Sequence, residues 1–300
     1  MLARFLRKTI LGQLILGAIL GLVLQYFGAI SSWVAVCIAM GLPFAVMIFV
    51  DTYTGILSRG AEPLGDWVSS LLGEYRAGIL VFILRQPWTT QPPVLLPATG
   101  AQKRIPVVLV HGYMCNHRIW DEVVPVLRAQ GHDVFAINLE PLFCSIDRYA
   151  PLVESAVQAL LAASGQKQVA LVGHSMGGLA IRAWVRTHGN THAARVLTLG
   201  TPHVGTQVGN GLPQSAHTPN GVQMVWNSDW LQQLAASETN ATRALFRIAL
   251  TPQDNIVYPQ RAQVLQGVEP TIFPSIGHVQ MCLDRNVIAW VSDHLRDLAA

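Results

Sequence analysis

The stretch Gln168-Val169-Ala170-Leu171-Val172-Gly173-His174-Ser175-Met176-Gly177-Gly178, running on through Leu179–His188, decides how this chain is read. A short apolar run, Gln168–Val172, ends in Gly-x-Ser-x-Gly, and Leu179–His188 then follows a helical pattern. Strand, very tight turn and helix in that order are the setting of a nucleophile elbow. Glycines two residues either side of Ser175 let neighbouring backbone approach without Cβ clashes. The serine hydroxyl is then exposed at the carboxyl end of a strand, with a helix N-terminus beneath it. A plain Gly/Ser turn has the same composition, so the motif needs partners elsewhere in the chain.

Outward from the elbow the chain alternates. Ile105–Val110, Asp133–Leu139, Gln168–Val172, Arg195–Leu199, Leu245–Leu250 and Thr271–Ser275 read as strands. Arg118–Gln130, Ile146–Ala163, Ser175–His188, Ser228–Ala236 and Val287–Leu298 read as helices. Continuous apolar strands separated by helices predict a mostly parallel sheet covered on both faces. Ligands in such sheets bind beyond the carboxyl ends of the strands.

A serine hydroxyl becomes nucleophilic only when a base removes its proton and a carboxylate orients that base. After an elbow the expected chain order is Ser, acid, His. Asp254 follows the Leu245–Leu250 strand, and His278, preceded by Gly277, follows the last strand, so both sit at strand ends. Asp229 and Glu140 are the rival acids. Oxyanion donors are expected from the residue after the nucleophile, Met176, and from the His111-Gly112-Tyr113-Met114 loop after the first core strand. Tyr113 N–H is the first candidate there and Met114 the fallback. His111, His174 and His203 read as braces for their loops, His188 and His192 as solvated helix-end residues. His217 falls in a possible cap over residues 204–240 whose apolar side chains could wall an acyl pocket.

These motifs, His111-Gly112, Gly173-His174-Ser175-Met176-Gly177-Gly178, Gly200-Thr201-Pro202-His203-x-Gly205-Thr206, Asp254 and Gly277-His278, resemble the α/β-hydrolases of bacterial lipase/esterase type over residues 103–300. The resemblance implies serine-dependent hydrolysis of carboxylic esters with no metal or cofactor. An acyltransferase or thioesterase could use the same three residues, and a non-catalytic membrane-tethered interaction protein could keep the scaffold. Few residues precede the first core strand, so the sheet is expected to lack the family's first antiparallel strands.

The N-terminal part departs from that family. The chain has 300 residues, only 12% of them charged and a net charge of +3, with mean hydropathy +0.37. Its basic residues are scattered, which argues against nucleic acid as a partner. The apolar excess is local: between Lys8 and Asp51 no residue is charged. Those roughly 42 residues suit two spans of about 20 residues each, at 9–27 and 33–50, joined at Gly28, Ser31 and Ser32. Residues 1–50 thus read as a transmembrane hairpin, and Gly17-x-x-x-Gly21 offers a small-residue packing face. Arg4, Arg7 and Lys8 before the hairpin, and Arg59, Arg76 and Arg85 after it, place both flanks on the cytoplasmic side of a bacterial-type inner membrane. Within residues 51–102, Trp67, Leu71, Leu72, Tyr75 and Ile79 mark an amphipathic helix, lying in the membrane interface or packed on the domain, and a Pro-rich linker follows. Cys37, Cys115, Cys144 and Cys282 form no C-x-x-C pair and indicate no disulfide framework.

Overall fold

The computed structural model describes residues 1–210 and 218–298, so His217 lies outside the described residues. Seven strands form one sheet in the order β1-β3-β2-β4-β5-β6-β7. They are β1 (Leu95–Leu96), β2 (Val107–Val110), β3 (Val134–Ile137), β4 (Val169–His174), β5 (Ala193–Leu199), β6 (Phe246–Leu250) and β7 (Pro270–Ile272). Every neighbouring pair from β3 to β7 is parallel, and β1 alone runs antiparallel, against β3. The expectation of a sheet without leading antiparallel strands is corrected by β1. Its two residues come from the Pro-rich stretch, where so short a run carries no periodicity to read.

The central strands β2 and β4 are buried on both faces, as their unbroken Val, Leu and Ala runs require. Helices α5 (Ala150–Ser164) and α6 (Met176–His188) cover one face, packing Val153, Val157, Leu160, Leu179 and Trp184 on it. Helices α4 (Val123–Ala129) and α10 (Arg285–Arg296) cover the other, with Leu127, Val287, Val291 and Leu295. Each large apolar side chain so buried contributes about 1.5–3 kcal/mol. The helix expected over Arg118–Gln130 is broken into a short 3-10 turn, His117–Trp120, and α4. Between β5 and β6 lie α7 (Pro219–Gln223), α8 (Asp229–Ala236) and α9 (Asn240–Arg243).

Three N-terminal helices precede this layer: α1 (Leu2–Tyr26), α2 (Ser32–Leu57) and α3 (Leu64–Gly78). The last continues through a wide π-helical turn, Ile79–Arg85, into a 3-10 turn ending at Trp88. All three helical stretches are long and apolar enough to cross a membrane. In the α1–α2 hairpin, Gly17 and Gly21 lie directly against Ala39 and Ala35; a Cβ on Gly21 would come within 2.7 Å of the Ala35 carbonyl oxygen.

Against the domain, α3 turns Gly73, Glu74 and Ala77, while Gly78 lies against Met47 of α2. The large side chains Trp67, Leu71, Tyr75 and Ile79 are only half-buried, and Leu72 is exposed. The docking face is therefore the small-residue one, which allows backbone to approach backbone. It is not the stripe of large apolar residues that marks the helix in sequence.

Gly21→Val is expected to force the two helices apart at a cost of about 1–3 kcal/mol, as overpacking does. Thermal unfolding in detergent would show it as a lowered midpoint. Gly12→Val, a position with open space around it, should leave the midpoint unchanged.

Candidate active site

Four loops at the carboxyl edge of the sheet converge on Ser175. The backbone there has φ 55° and ψ −129°, a region that non-glycine residues avoid. It is held by the Ser175 N–H donating to the Leu199 carbonyl at 2.8 Å, and by Gly177 pressed against the Val110 carbonyl. The loop after β2 passes so close that a Cβ on Gly112 would lie 2.6 Å from the Ser175 Cβ. Ser175 is buried to 7% exposure.

Asp254 and His278 meet across the ends of β6 and β7. The His278 Nδ1–H donates to Asp254 Oδ2 at 2.7 Å. The other carboxylate oxygen, Oδ1, accepts from the N–H groups of Ile256 at 2.9 Å and Val257 at 2.7 Å. This fixes the imidazole tautomer: with Nδ1 donating, Nε2 keeps its lone pair. The two loops are also tied directly. Thr251 Oγ1 donates to the Ile276 carbonyl at 2.7 Å, and the Ser275 N–H donates to Gln253 Oε1 at 2.8 Å. Burial pulls the His278 pKa down, but the charge and hydrogen bond of Asp254, and then the charge of Glu74, outweigh it and hold it above the ordinary histidine value.

His174, next to Ser175, donates from Nε2 to the His278 carbonyl at 3.1 Å, and the two rings lie 4.7 Å apart. Ser175 Oγ itself makes no hydrogen bond to the imidazole; such contacts commonly tighten only when substrate binds. The Tyr113 and Met176 N–H groups donate to no protein acceptor among the described residues. Both residues line a narrow cavity with Leu142, Phe143, Tyr149 and Asn220. A wider cavity of about 630 Å³ opens beside Arg4, Arg7, Asn116, Asn138 and Glu140, away from Ser175. Among the described residues, no group of three or more His, Cys, Asp or Glu side chains could hold a metal ion.

His111 and His203 serve as struts. His111 donates from Nδ1 to the Gly112 carbonyl and accepts the Leu139 N–H at Nε2, joining the loops after β2 and β3; burial lowers its pKa to about 4. His203 bonds Thr198 within its own turn, and burial holds its pKa well below the ordinary value. The rival acids lie elsewhere: Asp229 is exposed at the start of α8, and Glu140 pairs with the N-terminal ammonium. The four cysteines are free. Of the cap stretch, α7 is fastened to the site: Asn220 reaches Met176 Sδ and the Tyr149 hydroxyl at 3.5 Å each, and the Tyr113 hydroxyl lies 3.3 Å from Thr218 Oγ1.

Packing of the α3 helix on the domain is one of the two expectations above, but no sequence pattern marks the residues by which the N-terminal helices enter this edge. Asn255, next to Asp254, donates from Nδ2 to Thr54 of α2 at 3.3 Å, and Gln260 donates to the Ser58 carbonyl at 2.9 Å. Ser275 donates to Asp66 of α3. Glu74 lies fully beneath the His278 loop, accepting the N–H groups of Val279 at 2.9 Å and Gln280 at 3.0 Å. Its visible signal was an acid on a helix whose other buried positions are small, and periodicity of large apolar residues cannot register that.

Residues 105–250 match the family described as the alpha/beta hydrolase fold. The chain is 35% identical over 126 residues to a triacylglycerol lipase of Burkholderia plantarii, covering 39% of this chain and 34% of that one. It is 36% identical over 119 residues to a triacylglycerol lipase of Pseudarthrobacter phenanthrenivorans, covering 36% of each. It thus spans about a third of the length of the curated relatives it matches. Among solved structures, a Bacillus licheniformis lipase in its propeptide form aligns with TM-score 0.58 and 15% identity over 68% of this chain and 54% of that one. Aspergillus fumigatus lipase B aligns with TM-score 0.55 and 18% identity over 68% and 56%. At these identities the structural likeness is one of fold.

Because burial opposes Asp254 at His278, Asp254→Asn should drop the His278 pKa below the ordinary histidine value. Titration of the ring by NMR in detergent would read that shift, and an unchanged pKa would contradict this balance of burial and charge.

Proposed function

We propose that this chain, which belongs to the α/β-hydrolase fold family, is a membrane-anchored carboxylic ester hydrolase that acts through Ser175 on a lipid-like ester. The observation that carries the reading is the convergence at one sheet edge of a strained serine, a histidine with its Nδ1 committed to a buried carboxylate, and two unengaged backbone N–H groups. Ser175 Oγ attacks the ester carbonyl while His278 Nε2 takes its proton. Asp254 holds the imidazole and stabilises the imidazolium. Tyr113 and Met176 N–H groups receive the oxyanion. The imidazolium returns its proton to the departing alcohol, leaving an acyl-enzyme that water clears by the same steps. The lipase names of the relatives support an ester as substrate.

The membrane part of the proposal rests on where the hairpin is rooted. Helix α1 starts beside the loop after β3, with Phe5 6.0 Å from Phe143 and that ring 5.5 Å from Tyr113. Helix α2 ends beside the Asp254 loop. Both roots thus stand at the catalytic edge, so a bilayer around the hairpin lies on the side of the sheet where Ser175 opens. Exposed Leu64, Val68 and Leu72, spaced one helical turn apart on α3, add an apolar stripe suited to the membrane interface. The Lys/Arg bias, with two spans and α3 lying between bilayer and domain, is what supports a site on the cytoplasmic face.

A fluorophosphonate probe should label the detergent-solubilised protein, and Ser175→Ala should abolish labelling while lowering ester turnover by about 10⁴-fold or more. Labelling that persists in Ser175→Ala would remove the assignment. With p-nitrophenyl esters of rising chain length, activity should favour longer chains presented in micelles. A preference for short soluble esters would count against a lipid-like substrate. Products formed with a competing alcohol would reveal acyl transfer.

A further inference from the structure

We propose that Glu74, on the helix that follows the membrane hairpin, is a positioning residue for His278, so that the N-terminal helices form part of the active site as well as an anchor. The proposal rests on the assignment of His278 as the general base. Glu74 is 3% exposed and lies against the backbone of Gly277, where a Cβ would collide with its carboxylate. One oxygen accepts the Val279 N–H and the other the Gln280 N–H. These are the first two residues of the short 3-10 turn Val279–Cys282, for which His278 is the N-cap. At a helical start such N–H groups have no internal partner. The carboxylate supplies both acceptors at once and fixes the backbone on the C-terminal side of the histidine.

Position and charge act together here. Asp254 holds the imidazole ring from the acid loop, and Glu74 holds the main chain from below. Burial raises the Glu74 pKa to about 7, so above that pH it is the second negative charge acting on His278, after Asp254. It therefore favours the imidazolium that forms as Ser175 is deprotonated. The other titratable groups facing it are Asp51 of α2, Cys115 from the loop after β2 and Cys282 at the end of the 3-10 turn.

The placement of Glu74 is set by the membrane-side helices. Trp67 Nε1 donates to the Gly55 carbonyl of α2 at 2.9 Å. Thr52 of α2 hydrogen-bonds the Tyr75 hydroxyl, one residue from Glu74. Gly78 packs against Met47 of α2, with a Cβ there 2.9 Å from the Met47 sulfur. A carboxylate buried on a helix that is itself clamped to the hairpin leaves little slack between hairpin and histidine.

The test uses the full chain, purified in detergent, with a p-nitrophenyl ester. Glu74→Gln keeps the shape but loses the charge, and its amide group turns a donor toward one of the two N–H groups. It should lower kcat by about 10- to 100-fold, the range seen when groups orienting an active-site ligand are removed, with KM within about threefold. The rate of fluorophosphonate labelling should fall in parallel. The acidic limb of the kcat/KM profile should move to lower pH, since a charge favouring the imidazolium is gone. Glu74→Asp, with the charge kept but set back by one methylene, should restore the acidic limb and recover only part of kcat.

Wild-type kcat and an unmoved limb in folded Glu74→Gln would overturn the proposal. Should that variant fail to fold, Glu74→Asp decides: wild-type kcat overturns the proposal, and a reduced kcat with the limb in place supports it. Ser175→Ala, run alongside, separates the two levels. Activity surviving in it removes the serine assignment itself, whereas a dead Ser175→Ala beside a neutral Glu74→Gln removes only the role of Glu74.

Discussion

The hydrogen bond from His278 to Asp254 is the contact on which the arrangement depends. It joins two loops that leave different strands, and burial opposes it by disfavouring the charged ring. A buried pair of this kind persists only if the surrounding polar groups are also satisfied. Asp254 meets that condition with two backbone N–H groups at its second oxygen. His278 meets it through a main chain held on both sides: its carbonyl by His174 and the residues after it by Glu74. The N-terminal helices are thus recruited to complete a polar network begun at the ends of β6 and β7.

The serine side of the site follows a different logic. Ser175 sits in a backbone conformation that costs about 1–3 kcal/mol, and the cost is met by packing that leaves no room for relaxation. Gly112 and Gly177 bring neighbouring strands and loops within backbone contact, and His111 pins the loops after β2 and β3 to each other. A histidine held neutral by burial suits that task, because its two ring nitrogens can then donate and accept at once. Strain at the serine and satisfaction at the histidine are complementary. One side is fixed by sterics and the other by hydrogen bonds.

Much of this could be read from the chain alone. The elbow, Asp254, His278 and the parallel strands are signalled by local patterns: an apolar run followed by glycine, or an acid or histidine just past a strand. The features that escaped have no such local signature. Strand β1 has two residues, and its pairing with β3 comes from tertiary context. In α3 the large apolar residues drew attention, yet the docking face consists of small residues around one acid. Glu74 is one charge among those apolar residues, and nothing local in the sequence marks it out. Only the fold shows that its oxygens end beneath Val279 and Gln280, some two hundred positions later in sequence.

The roots of the hairpin reach two different loops of the sheet edge, one beside Phe143 after β3 and the other beside Asn255 after β6. One cut in a connecting loop would therefore not free the sheet from α1 and α2. Cleavage after α2 would leave α1 and α2 seated on that edge, and removing them would strip Phe5 from Phe143 and Thr54 from Asn255. A chain without α1 and α2 would have to rebuild those contacts, so the two helices belong to the packing of this edge whatever surrounds their apolar faces.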